Sequence, residues 1–339
     1  CTKILSAVCD VVGRLIRLGF KYDFDDQCTP KIRKLLGELA KTIDIGLQVQ
    51  QLIVLVKNTE LEEKNQEPML MDLPKEVQIF EGDSLPHAFL LSFDAQTIAQ
   101  QLTFIEFDIY RSISADELKN QSWNKSKRMC IARNVVALIQ RANRVSMWVA
   151  TVVLLQPKVK DRARVILKII NVGKALKELG NYNTLMGIIA GLNMSCVSRL
   201  KHTMASVGRK PLETLKALQS IVDPTSSFKT LRETLRQGGL TQLPYIGTTL
   251  TDLTFIEDGN ADTFEHPITH KEVINMEKRD LLSTTIRQVR AYQSSDYKIT
   301  LRDPPHTFLH ELPCLDEQLL YALSLEREPR NADTFRKQR

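Results

Sequence analysis

Residues 244–260 read PYIGTTLTDLTFIEDGN, and the run behind them, 271–293, continues in helical periodicity. In the first stretch Leu250, Leu253 and Ile256 recur at three-residue spacing, which predicts a helix with a partly apolar stripe. Gly259 and Asn260 stop it directly after two acids, Glu257 and Asp258. Acids at a helix C-terminus face the negative end of the helix dipole, at a cost of roughly 0.3–1 kcal/mol. A cost of that kind is retained where the acids serve a function; the plainer reading is a solvated, acidic helix end. The run behind it, over 274–292, is expected to place Leu281, Leu282, Ile286 and Val289 on one side, as a helix packed on a body does.

The rest of the chain is read in the same way, outward from that stretch. Asp94 is placed to cap a helix over 95–110 with Ile98, Leu102, Ile105 and Ile109 facing inward. Ser114 and Glu117 have the spacing of a capping box at the next helix start. Pro157, Gly180, Pro211, Pro224 and the pair Gly238–Gly239 punctuate later helices. Gly187 and Gly191 have the spacing that lets two helices pack closely. Met147 and Trp148 read as core, and Arg111 and Glu106 as members of structural ion pairs. There is no alternation of strands and helices and no fixed repeat, so the expected fold class is all-α. Near the start, Ile4, Leu5, Val8, Val11, Val12, Leu15 and Ile16 form one stripe, and a second helix follows the break at 22–30. Residues 1–59 are therefore expected to form a small helical module, and 60–86, rich in Glu, Asp, Pro and Gly, a linker. The large domain spans 87–331, with a tail over 332–339.

Composition excludes more than it suggests. The 339 residues include 46 basic and 40 acidic ones, a surplus of six spread among acids at helical spacing. That is not the clustered basic stripe of a nucleic-acid binder. The six cysteines, at 1, 9, 28, 130, 196 and 314, form no Cys-x-x-Cys pair. This argues against a zinc knuckle or disulfide framework and for a reducing compartment, with Cys196 a small core or interface hydrophobe. No 18-residue uncharged apolar run is present. The sequon at 124–126 reads as coincidence, and the start at Cys1 suggests a piece of a longer chain. No phosphate-cradling Gly-x-x-x-x-Gly-Lys-Ser/Thr loop, no His-Glu-x-x-His and no Gly-x-Ser-x-Gly occurs. His266 and His270 have i,i+4 spacing, but Pro267 breaks the helix that would aim both at one metal. No metal and no cofactor is expected.

The 244–260 string resembles the hairpin tip of guanine nucleotide exchange factors for Ras-family small GTPases, the Son-of-sevenless-like catalytic domains. Further segments match the family in the same order. They are 97–113 (TIAQQLTFIEFDIYRSI), 134–148 (NVVALIQRANRVSMW) continuing through 179–183 (LGNYN) to 191–202 (GLNMSCVSRLKH), and 324–331 (SLEREPRN). Residues 1–59 resemble the C-terminal part of the Ras exchanger motif that precedes such domains. The resemblance implies a protein that binds a Ras-subfamily GTPase, of Ras or Rap type, and wedges its switch segments apart so that GDP leaves and GTP loads. No covalent chemistry is involved: a partner that binds the nucleotide-free form better accelerates release through that difference.

Carried over by position, the resemblance places the hairpin tip at Tyr245, Thr251, Thr254, Phe255 and Asp258. Asp258 stands where the family's best-known member has the longer Glu, Thr254 where it has a larger aliphatic, and Phe255 where it has a basic residue. The groove for the second switch would involve Val136, Ile139, Gln140, Asn193, Ser198 and Phe228, with Tyr292 and Arg330 contacting the GTPase or supporting the hairpin. Asn193 has a competing reading as a helix cap. Ser198 replaces an aromatic found in several Ras-directed members, which keeps Rap-type partners open. The alternative to an exchange factor is an inactive scaffold of the same fold that binds a signalling partner. The expected location is cytoplasmic, with recruitment to the inner membrane surface left open.

Overall fold

The computed structural model describes residues 86–125, 128–239, 241–268 and 270–329. The expected module at 1–59, nearly all of the linker at 60–86, the tail at 332–339 and Arg330 lie outside the described residues. Apart from 128–131, the described residues belong to one compact unit, and only that unit is considered below. Its described residues form α-helices with one small antiparallel ribbon among them. The all-α expectation holds.

The early helices form where the capping chemistry puts them. After α1 (Pro86–Ser92), α2 runs over Ala95–Arg111, and the Asp94 carboxylate accepts from Thr97 N at 2.8 Å. The expected helix start at Ser114 is instead a single 3-10 turn, Ala115–Leu118. Glu117 does accept from Ser114 N (3.0 Å), but its other oxygen accepts from Asn134 N at 2.7 Å and Val135 N at 3.1 Å. The acid thus also satisfies the orphan donors that open α3 (Arg133–Leu154).

The centre is a helix stack. Trp148 on α3, with no exposed surface, packs among the apolar faces of α2, α4 (Val159–Glu178) and α5 (Tyr182–Asn193). The close-packing expectation for the two glycines is met by backbone against backbone. A Cβ at Gly191 would lie 2.6 Å from Ser146 O and 2.7 Å from Val149 Cβ. Gly191→Ala is accordingly expected to destabilise the fold by about 1–3 kcal/mol, because α3 and α5 must move apart. Chemical denaturation checks this. Cys196, on the short helix α6 (Ser195–Ser198), is buried in the same core, as expected.

Helices α7 (Lys201–Val207), α8 (Arg209–Ile221) and α9 (Thr225–Gln237) wrap this stack and lead to the hairpin. Its first arm is α10 (Ile246–Gly259) and its second α11 (Met276–Gln293). Between them the strands β1 (Thr263–Glu265) and β2 (Glu272–Ile274) pair antiparallel, with Phe264 opposite Val273. This corrects the expectation that 271–293 is helical throughout. The Asn275 side chain accepts from Lys278 N at 3.1 Å and so starts the helix at Met276. Ahead of that cap the β-branched pair Val273 and Ile274 is left extended. The helices α12 (Pro305–Glu311) and α13 (Glu317–Arg327) close the chain against the body.

The C-terminal motif is anchored by charge. Glu328, 4% exposed, lies 3.6 Å from the fully buried Arg162 and accepts from Thr203 N (2.9 Å), Thr203 Oγ1 (2.7 Å) and His202 N (3.1 Å). Arg199 donates to Ser324 O and Glu328 O, at 2.7 and 2.8 Å. Burial lowers the Arg162 pKa, and the Glu328 carboxylate works against that shift.

Candidate functional site: the hairpin and the face beside it

A second apolar cluster sits under the hairpin. Leu250, Leu253, Leu282 and Val289 from the two arms pack with Tyr110, Leu118, Trp123 and Leu138 of the body. Three of the four residues expected on the inner side of the second arm are there: Leu282 and Val289 are buried and Ile286 is half-buried. Leu281 is 47% exposed and does not join them. It follows directly on Asp280 in the helix, one position short of the inner stripe, so its side chain points about 100° away from Leu282.

The two acids at the end of α10 have different roles. Glu257 is held inside the hairpin, where Lys278 Nζ reaches its carboxylate at 3.0 Å, its backbone carbonyl at 3.1 Å and Asp262 at 3.0 Å. Lys278 is 2% exposed. Burial alone would lower its pKa, but the hydrogen bonds to Asp262 and Glu257 outweigh burial and raise it. The hydrogen bond from Lys278 likewise lowers the Asp262 pKa. The dipole cost of an acid at this helix end is thus offset by an internal cation.

Asp258 points outward. It is exposed and accepts from Gln121 Nε2 at 2.7 Å, while Asn120 N reaches Glu257 at 3.3 Å. Asn120 and Gln121 both adopt left-handed backbone, φ 55° and 53°. The loop they form braces the outer end of the first arm against the body. Neither residue stands out in the sequence, because nothing marks a polar loop as lying next to a helix 137 positions away.

Phe255, beside these acids, is 70% exposed. Phe264 (49%), Ile268 (82%), Ile274 (61%) and Met276 (62%) are further exposed apolar residues on the ribbon and at the start of the second arm, with Phe264 and Ile274 on opposite faces of the ribbon. Single exposed apolar residues need no explanation, but these five of those exposed among the described residues all lie on the hairpin. Thr251 and Thr254 return their hydroxyls to Gly247 O and Leu250 O, each at 2.8 Å. Their methyl groups are therefore what they offer outward. His266 and His270 flank the ribbon's turn, and His270 Nδ1 lies 2.5 Å from Glu265.

At the hairpin's base Tyr245 is half-buried, its ring 5.7 Å from Phe228, and burial raises its phenol pKa. A Cβ at Gly247 would lie 2.4 Å from that ring, so a larger residue there would push the Tyr245 ring aside. Phe228 itself lies in a left-handed first turn of α9 shared with Ser226 and Ser227. Arg232 in the same helix makes a paired contact with Asp252 on α10, 2.8 Å to each oxygen.

The expected groove residues divide between the two clusters. Val136, Ile139 and Tyr292 pack against the hairpin cluster, and Phe228 and Tyr245 against the central one. Gln140, Asn193 and Ser198 are exposed. Asn193 ends α5, and its side-chain oxygen accepts from Gln219 on α8 at 2.7 Å. It caps neither α5 nor α6 with its side chain; the residue between those helices is Met194. The capping alternative is thereby set aside.

Residues 97–280 match the RasGEF domain family. The chain belongs to the RasGEF family. Three similar curated proteins, each from Dictyostelium discoideum, point the same way. Ras guanine nucleotide exchange factor S is 34% identical over 91% of this chain, and factor R is 36% identical over 92%. Factor A is 38% identical over 91%. The chain spans 30%, 18% and 53% of those proteins' lengths respectively. Within this RasGEF-family chain, the matched region takes in the body helices α2 to α9, the whole first arm, the ribbon and the start of the second arm. No helix among the described residues is long and apolar enough to cross a membrane.

Proposed function

We propose that this chain is a guanine nucleotide exchange factor that acts on a Ras-subfamily GTPase, of Ras or Rap type, by inserting the hairpin between its switch segments. The observation that carries the reading is the contrast at the end of α10. Glu257 is tied into the hairpin by Lys278, while Phe255 and Asp258 next to it stand outward on a projection whose base is firmly packed. Phe255 supplies apolar surface to displace the switch near the magnesium site. Asp258 supplies a negative charge that competes with phosphate for the GTPase's cationic groups. Tyr245, Thr251 and Thr254 line the same arm, and Val136, Ile139, Gln140, Asn193, Ser198, Phe228 and Tyr292 form the face that receives the second switch.

The energetics need nothing covalent. Shifting a nucleotide-bound population ten-thousandfold takes about 5.5 kcal/mol of differential binding, within reach of a whole interface in which Phe255 and Asp258 each contribute a part. The test is release of a fluorescent guanine nucleotide from Ras-, Rap-, Ral- and R-Ras-type GTPases. Acceleration of one or two of them is expected. No acceleration of any by the folded chain would turn the reading to a non-catalytic scaffold. Asn193→Ala is expected to weaken GTPase binding about five- to thirtyfold, the scale of one or two polar contacts, measured by titration with nucleotide-free GTPase. Unchanged affinity would remove Asn193 from the interface.

A further inference from the structure

The segment 179–183, LGNYN, lies far from the hairpin tip, yet the hairpin's base is bonded to it. Leu243 N donates to Gly180 O at 3.0 Å, and Tyr182 N and Asn183 N donate to Leu243 O at 2.9 and 3.3 Å. Gly180 has φ 70°, and a Cβ there would lie 3.1 Å from Thr241 O, so the two strands of backbone approach where only glycine fits. The next contact is made by a side chain. The first amide of the first arm, Ile246 N, donates to Asn183 Oδ1 at 3.3 Å, while Tyr245, at the capping position, offers no side-chain bond.

Asn183 is fully buried and is held from behind by a charge. Its Nδ2 donates to Glu106 Oε2 at 2.8 Å. Glu106 has no exposed surface, and its Oε1 has no hydrogen-bond partner and lies 3.9 Å from Arg141 Nε. Arg141 donates in turn to the carbonyls of Leu309 and of His310, the latter at 2.7 Å, near the end of α12. Burial raises the Glu106 pKa, while the Arg141 charge and the Asn183 amide work against that shift. The carboxylate form that Arg141 favours only accepts hydrogen bonds, which puts the Asn183 amide group toward Glu106 and its oxygen toward Ile246, as both contacts are made. Glu106 therefore decides which way round Asn183 sits, and Asn183 decides where the first turn of the hairpin begins. Stability alone does not call for this arrangement, since buried ion pairs are often replaceable by apolar groups without loss.

We propose that Asn183, oriented by Glu106 and Arg141, is a positioning residue that sets the angle of the hairpin's first arm on the body. The proposal rests on the exchange reading for its effect on rate, and on geometry alone for the hairpin angle. The test is a swap of donor and acceptor. Glu106→Gln lets the Asn183 amide turn over, and Asn183→Asp sets two carboxylates face to face. Each single variant is expected to lower the maximal nucleotide-release rate between about ten- and a hundredfold, with the half-saturating GTPase concentration changed less than about twofold. In the double variant the amide introduced at position 106 donates to the carboxylate introduced at position 183. The other oxygen of that carboxylate accepts from Ile246 N, so most of the rate is expected to return. Loss in the singles without recovery in the double, or loss expressed in the half-saturating concentration, overturns the proposal.

A second readout separates it from the exchange reading. Pulsed electron paramagnetic resonance distances between spin labels on unnatural amino acids at positions 268 and 209 report the arm's angle, whether or not any GTPase responds. A shifted or broadened distance in each single variant and the original one in the double are expected. An unchanged distance in both single variants overturns the proposal even where exchange is intact.

Discussion

Glu328→Ala is expected to lower the free energy of unfolding by about 3–5 kcal/mol, the usual result of removing one partner from a buried ion pair. The Arg162 guanidinium would remain, fully buried, beside an empty space. Thr203 N, Thr203 Oγ1 and His202 N would lose the acceptor that the start of α7 leans on. Glu328→Gln should cost less, because its amide oxygen still accepts part of that set while the charge is lost. Urea denaturation followed by circular dichroism gives both numbers. A loss under about 1 kcal/mol for the alanine variant would mean the Arg162 charge finds water or another acceptor.

The second large effect is on function. Asp258→Ala is expected to slow GTPase nucleotide release about tenfold, and Phe255→Ala by a similar factor, each near 1.4 kcal/mol of lost differential binding. Neither should affect folding: Asp258 is exposed and loses one surface hydrogen bond to Gln121, and Phe255 is 70% exposed. The control is Lys278→Met, which strikes the hairpin's inner brace and should change both stability and rate. If Asp258→Ala and Phe255→Ala leave release unchanged while Lys278→Met slows it, the hairpin supports the body rather than acting on the partner. Asp258→Glu separates charge from reach, since it lengthens the side chain by one methylene at constant charge.

Much of this was readable in the sequence, and the reasons differ by element. The helix α2 was legible because Asp94 caps it and its apolar residues keep one period. The first arm was legible from Leu250, Leu253 and the Gly259 stop. The ribbon was not, because Val273 and Ile274 suit an extended chain as well as a helix, and the deciding feature is the single Asn275 cap. Leu281 fitted the inner stripe only because adjacent leucines are hard to separate by periodicity alone. The sequence marked both acids of the tip as candidates but could not sort them. That depends on Lys278 and Gln121, which reach them from 21 and 137 positions away. The buried Glu106–Asn183 and Arg162–Glu328 contacts were equally invisible: nothing local in the sequence pairs their residues.

The exposed apolar residues of the hairpin, Phe255, Ile268 and Ile274 among them, have a consequence for how the molecule behaves in bulk. A surface kept ready for a partner is also ready for copies of itself, and the hydrophobic attraction between such surfaces strengthens on warming from the cold. Laboratory selection for soluble, high-yielding variants would therefore favour polar replacements at Phe255, Ile268 and Ile274 first. Such a campaign would improve the preparation by removing the surface through which the proposed exchange would act.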